Sequence, residues 1–174
     1  MKLRKINILS ALLLGTFIAF TACSKDDGAI PNNINIEDVP AISTNLETGG
    51  TTANITFSNQ AAFQGKFKMA MFFAGKTPPA KVDVVVRKNA SAANVKLFKA
   101  DITSLPASFT ITAADIATLF GTPLVLNDTY DFAPDIYVGT KKYEAFPAVG
   151  SGSGSGVTGM SSIGFGEYVR YSVK

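Results

Sequence analysis

No histidine and no tryptophan occur among the 174 residues, and Cys23 is the single cysteine. Without histidine there are no Ser–His or Cys–His nucleophilic pairs, and one thiol cannot complete the usual zinc ligand sets. Nor does it close an internal disulfide. Without tryptophan the chain lacks the largest flat ring for stacking on a sugar face. Charge of one sign is scarce as well. Lys and Arg number 16 against 13 Asp and Glu, and Lys2, Arg4 and Lys5 crowd the start. Past them, 16 − 3 leaves 13 cations against 13 anions. The remaining chain is formally neutral and carries none of the basic footprint that a nucleic-acid partner requires. The apolar run Ile6 to Phe20 falls short of the roughly 20 residues that cross a bilayer as a helix.

What is present begins with that same segment. A basic start, an apolar run and small residues before Cys23 describe a secretory signal peptide over residues 1–22. A cleaved signal ending at cysteine resembles the bacterial lipoprotein type, which implies a lipidated Cys23, although Phe20 stands where that family has an aliphatic residue. Each buried methylene adds about 0.8 kcal/mol, so two or three acyl chains hold a protein at a membrane where one does so only reversibly. The segment Ser24-Lys25-Asp26-Asp27 is similar to the lysine-plus-acidic tag of Bacteroidota lipoproteins carried to the outer face of the outer membrane. An ordinary solvated tether is the alternative, and residues 23–40, rich in Asn, Asp, Pro and Gly, read as a lipidated, flexible tether.

Residues 41–174 read as one domain, large enough to bury about two-thirds of its unfolded surface. Apolar and polar residues alternate between turn clusters, which is strand periodicity. The runs are Thr51–Ser58 (Ala53, Ile55, Phe57 on one face), Lys66–Phe73 (Phe67, Met69, Met71, Phe73) and Lys81–Lys88 (Val82, Val84, Val86, with Lys81, Asp83 and Arg87 outward). They continue with Asn94–Ala100 (Val95, Leu97 inward), Ala107–Thr112, Thr129–Val138, Tyr143–Phe146 and Glu167–Lys174. Pro134 inside Thr129–Val138 suggests an edge strand or a bulge. Thr112 and Asp115 have capping-box spacing and Gly121 can end a helix, so one short helix is expected over 113–120, crossing between sheets. The expected fold is an antiparallel β-sandwich of immunoglobulin or fibronectin type III character, without the Cys and Trp hallmarks of antibody domains.

Few groups remain that could perform chemistry. Asp128, Asp131, Asp135 and Glu144 lie close enough in sequence to suggest a glycosidase or a calcium site, but they fit turn and surface positions better, and Asp131 and Asp135 alternate with apolar residues and are expected to face solvent. Gly75-Lys76-Thr77 imitates the end of a phosphate loop, yet Ala70 replaces its first glycine and Pro78-Pro79 forbids the helix that must follow. Gly150 to Gly156 alternates Ser and Gly inside a long loop, 148–166, of the length at which loops are functional or disordered. No catalytic residue, metal ligand or cofactor is expected. Exposed rings would be the physical basis for binding sugars, and alternation sets Phe72, Phe98, Tyr137 and Phe146 opposite the core residues, with Tyr168 near the Gly/Ser loop. Their simpler reading is isolated or partly covered surface apolar residues.

The signal, Cys23, the acidic tag, the strand series and the ending Val169-Arg170-Tyr171-Ser172-Val173 resemble small Bacteroidota surface lipoproteins, similar to the amino-terminal immunoglobulin-like domain of SusE-type proteins. Leu126-Asn127-Asp128-Thr129-Tyr130, followed by a strand, a Gly139 turn and Tyr143, carries most of that likeness. The resemblance implies a non-enzymatic role beside outer-membrane glycan import, with a glycan or an import complex as partner and the membrane reached through the lipid anchor. Direct starch binding is not inherited, because SusE-type proteins carry their sugar-binding modules further along the chain. A structural or adhesive module that binds proteins, and more distantly a carboxylate-based hydrolase, are the alternatives.

Overall fold

Alternation at period two builds most of the sandwich. The computed structural model describes residues 38–148 and 164–174; the signal segment, Cys23, the Ser24–Asp27 tag and the Gly150–Gly156 stretch lie outside the described residues. The strands are β1 (Ile42–Leu46), β2 (Thr52–Ile55), β3 (Gln64–Met71), β4 (Lys81–Lys88), β5 (Val95–Ile102), β6 (Ala107–Thr112), β7 (Thr129–Val138), β8 (Lys141–Tyr143) and β9 (Val169–Val173). The smaller sheet has the order β1-β3-β6. The larger runs β2-β9-β7-β4-β5, with β8 extending from β7.

The two sheets bury Phe67 and Met69 of β3 and Phe109 and Ile111 of β6 against Val82, Val84 and Val86 of β4, Tyr130 and Phe132 of β7 and Tyr171 of β9. Phe67 links the layers, its ring 5.1 Å from Phe109 in its own sheet and 5.4 Å from Phe132 in the other. Gly65 is required by a close approach: a Cβ there would lie 2.7 Å from Phe63 and 2.8 Å from the Tyr171 ring. Helix α1 (Ala113–Phe120) carries the chain from β6 in one sheet to β7 in the other. Thr112 and Asp115 close a reciprocal capping box, and Gly121 ends the helix in the left-handed region at φ +68°. The sandwich and, among the described residues, one short α-helix are those expected from the sequence.

Several local expectations are corrected. One pairing is parallel: β2 runs alongside β9, while every other described pairing is antiparallel. The strand expected through Phe57 stops at Ile55 and gives way to a 3-10 turn, Phe57–Ala62. Phe73 lies beyond the end of β3 and is 52 % exposed rather than sharing the face of Phe67 and Met69. In β5 the register with β4 shifts between the Val85–Leu97 and Val84–Lys99 pairs. Phe98 is left over at this bulge and packs on the core, while Leu97 is 52 % exposed. Val95 and Leu97 stand opposite Arg87 and Val85, which face away from the core, so the expected inward Val95 and Leu97 lie on the outer side of the sheet and the expected outward Phe98 on the core side. Pro134 sits in a central strand, yet β9 pairs with β7 over Thr129–Phe132 and β8 over Ile136–Val138, so the proline falls where one neighbour has ended and the next has not begun.

Candidate functional site

The outer face of the larger sheet is built from the residues that alternate with the core. Register sets Asp83 of β4 opposite Asp135 of β7, Val85 opposite Ala133, and Arg87 opposite Asp131. Arg170 of β9 lies on the other side of Asp131. Ala145, Phe146 and Tyr168 fold over this face and form a second apolar cluster with Val85 and Ala133. That cover corrects a sequence expectation. Asp131 and Asp135 point away from the core but are only 0 % and 3 % exposed.

A buried carboxylate is tolerated only when paired and hydrogen-bonded. Arg170 donates to both oxygens of Asp131, Nε to Oδ1 at 2.6 Å and Nη2 to Oδ2 at 3.0 Å, and Arg87 Nη2 donates to Oδ2 at 2.9 Å. The Arg87 guanidinium lies 4.1 Å from the Phe146 ring centroid and so joins the ion cluster to the apolar cover.

Asp83 and Asp135 form a like-charged cross-strand pair, which destabilises a sheet unless each partner is compensated. Asp83 accepts hydrogen bonds from the Asp101 N–H and the Tyr137 hydroxyl, both at 2.8 Å, with Lys81 Nζ at 4.0 Å. Burial alone would push the Asp83 carboxyl up, but these donors hold it below the usual carboxylate range. Asp135 accepts from the Ala145 N–H at 2.8 Å and faces Lys142 Nζ at 2.8 Å. The hydrogen bond to Asp135 raises the Lys142 ammonium above its ordinary value.

Beside this pair lies a pocket of about 410 Å³ between β4, β5 and the β7–β8 hairpin. Tyr137, Phe146 and Leu97 supply its rings and apolar wall, and Asp83, Asp135, Glu144, Lys96 and Lys142 its polar groups. Its volume falls in the range of small-molecule sites. An apolar wall beside convergent donors and acceptors suits a ligand with one apolar face and several hydroxyls.

Of the five rings singled out from sequence, the structure gathers three. Tyr137 and Phe146 line the pocket, and Tyr168 lies 6.2 Å from Phe146 between ring centroids. Phe146 is itself buried. Phe98 is not in the set, because it alternates with the outward Leu97 and packs 5.5 Å from Phe132 in the core. Phe72 is elsewhere, packed edge-on between Phe73 and Phe165.

The carboxylate set does not form one site. Asp128 is bound at the start of β7, Asp131 by the two arginines, and Asp135 by Lys142, which also contacts Glu144 at 3.4 Å. Among the described residues no group of three or more acidic or other ligating side chains is placed to hold a metal ion. Asp83, Arg87, Lys142 and Arg170 were not singled out from sequence. Alternation does put Asp83 and Arg87 on the right face, but only the registers bring them to Asp135 and Asp131. No protein-family description, curated protein or solved structure matches the chain.

Proposed function

We propose that the protein is a non-enzymatic binding module of the cell surface, anchored in the outer membrane through lipid on Cys23, and that it captures a glycan on the outer face of its larger sheet. The observation that carries the reading is the pocket of about 410 Å³ in which Tyr137 and Phe146 stand among Asp83, Asp135, Glu144, Lys96 and Lys142. A sugar ring has an apolar face that packs on an aromatic ring and hydroxyls that need both acceptors and donors, and this lining supplies each kind. The carboxylates already hold cations or N–H donors, which keeps them fixed in place as acceptors. The signal-like start and Cys23 support the address.

The test is a polysaccharide and oligosaccharide affinity screen of the chain from Ser24 onward, repeated with Tyr137→Ala and Glu144→Gln. Binding that falls about tenfold in Tyr137→Ala, with an unchanged circular dichroism spectrum, is the expected result. A blank screen, or binding indifferent to both substitutions, rejects the glycan reading and leaves a protein-binding module. Palmitate labelling that survives Cys23→Ala would refute the anchor.

A further inference from the structure

At one end of the sandwich the β3–β4 connection projects an exposed stretch, Phe73 to Pro78, between Met71 and Lys81. Phe73 at its start is half exposed, but it is not loose. Its ring meets Phe72 edge-on at 5.0 Å, and Phe72 meets Phe165 edge-on at 5.0 Å. The Phe72 N–H donates to the Ala41 carbonyl, and the Thr44 N–H to Gly166, next to Phe165. The ring is therefore presented on a base that is already ordered. Beside it lies a groove of about 650 Å³, with Met71, Phe73, Pro78, Pro79 and Val138 as apolar lining and Lys76 among its polar residues. Asp38, Val39, Pro40 and Ala41 line the same groove, so the chain arriving from Cys23 joins the domain at this end.

We propose that this end of the domain rests on a lipid surface, with Phe73 dipping into the headgroup layer and Lys76 meeting lipid phosphate. The proposal rests on the reading of Cys23 as the lipid anchor. Residues 24–37 separate the cysteine from Asp38, a length that reaches at most about 50 Å when fully extended. A tether of that length keeps the groove end near the bilayer at an effective concentration of roughly millimolar order, at which weak contacts are populated. An aromatic ring flanked by a lysine suits the interface, where the ring lies about 5–10 Å into the headgroup boundary and the ammonium stays wet. The pre-ordered base lowers the entropy lost on contact. Of the other exposed large apolar residues among those described, Leu97 lies on the outer face of β5, and Phe57, Val125 and Leu126 flank the carboxyl-terminal end of β9, whose Val173 and Lys174 carbonyls accept from the Asn127 and Phe57 N–H groups. That end is opposite the groove, so the same orientation turns these three away from the bilayer.

The absence of tryptophan makes the test direct, since any introduced tryptophan is the sole reporter. Full-length chain, processed in a lipidating host, is reconstituted in phosphatidylethanolamine and phosphatidylglycerol vesicles containing lipid brominated on its acyl chains. Phe73→Trp fluorescence is expected to be quenched at least about twofold more than that of Leu126→Trp, matching a ring at interfacial depth. Adding Lys76→Glu to the Phe73→Trp chain is expected to reduce the quenching. Vesicle flotation, with Cys23→Ser as its control, reads the anchor separately. Chain that floats but shows equal quenching at the two positions overturns the contact and leaves the anchor intact. Wild-type chain that floats no better than Cys23→Ser overturns both.

Discussion

Asp128, buried at the corner before β7, accepts from Lys88 Nζ at 2.8 Å, Asn89 Nδ2 at 2.9 Å, the Val125 N–H at 3.0 Å and the Tyr130 hydroxyl at 3.0 Å. Burial by itself would raise its carboxyl, but these donors together bring it down to about 2. Burial and the same carboxylate push the Tyr130 phenol well above its ordinary value. A depressed folded-state value means the stabilisation is fully present above the unfolded value of 3.8 and is lost as pH falls through about 2. A shift of this size corresponds to roughly 2 kcal/mol. Urea unfolding followed down through the acid range should show that loss, and Asp128→Asn should make the pH dependence shallower while lowering stability at neutral pH. An unchanged slope would count against this role. Asp131 is a second buried carboxylate, held by two arginines. Asp131→Ala leaves Arg87 and Arg170 facing each other without their shared carboxylate, and removing one partner of a buried ion cluster costs about 3–5 kcal/mol. A loss under about 1 kcal/mol in the same assay would show that water, rather than the carboxylate, satisfies the arginines.

Among the elements, α1 is the most local in its causes. Thr112 Oγ1 accepts from the Asp115 N–H at 3.1 Å, and Asp115 Oδ2 accepts from the Thr112 N–H at 2.8 Å. Thr112→Ala should therefore cost about 1 kcal/mol of stability, read as a fall in the urea midpoint at constant slope. The helix was legible because its caps lie three residues apart in sequence and need nothing from the rest of the chain. The strands β3, β4, β6 and β9 were legible for a similar reason, since alternation records which face meets the core. β5 was not. Its Val95 and Leu97 fall opposite the outward Arg87 and Val85 of β4, and no residue within β5 states which of its two faces meets the core. The same holds for the parallel pairing of β2: its four residues alternate like any strand, and nothing in them states which neighbour they join or in which direction.

At the scale of the molecule, β9, β7 and β4 lie inside the larger sheet while β2 and β5 are its edges and β8 is a three-residue appendage. Amide exchange should be slowest in β4, in β7 and in β9 at Tyr171, whose neighbours on both sides are strands, and fastest in β8 and on the outer edge of β5. Protection of β8 equal to that of β7 would mean that the hairpin is held by more than its ladder and the Asp135–Lys142 contact. The pocket of the proposed binding site is formed between these two regimes. Its Asp83, Asp135 and Tyr137 stand on the inner strands, while Lys96, Leu97, Lys142 and Glu144 come from the edge and the hairpin.

The sequence by itself determined the sandwich class, the strand faces in the regular runs, the helix and both its caps, and the exclusion of histidine-dependent chemistry. Each of these follows from composition or from residues a few positions apart. The tertiary structure alone decided that the second face of the larger sheet is covered, that Asp131 and Asp135 are buried acceptors rather than solvated charges, and that Tyr137 and Phe146 share a pocket while Phe98 belongs to the core. Those outcomes depend on register between strands far apart in the chain and on Ala145, Phe146 and Tyr168 folding back over the sheet, and a pattern read along one strand carries no information about what lies across from it or above it.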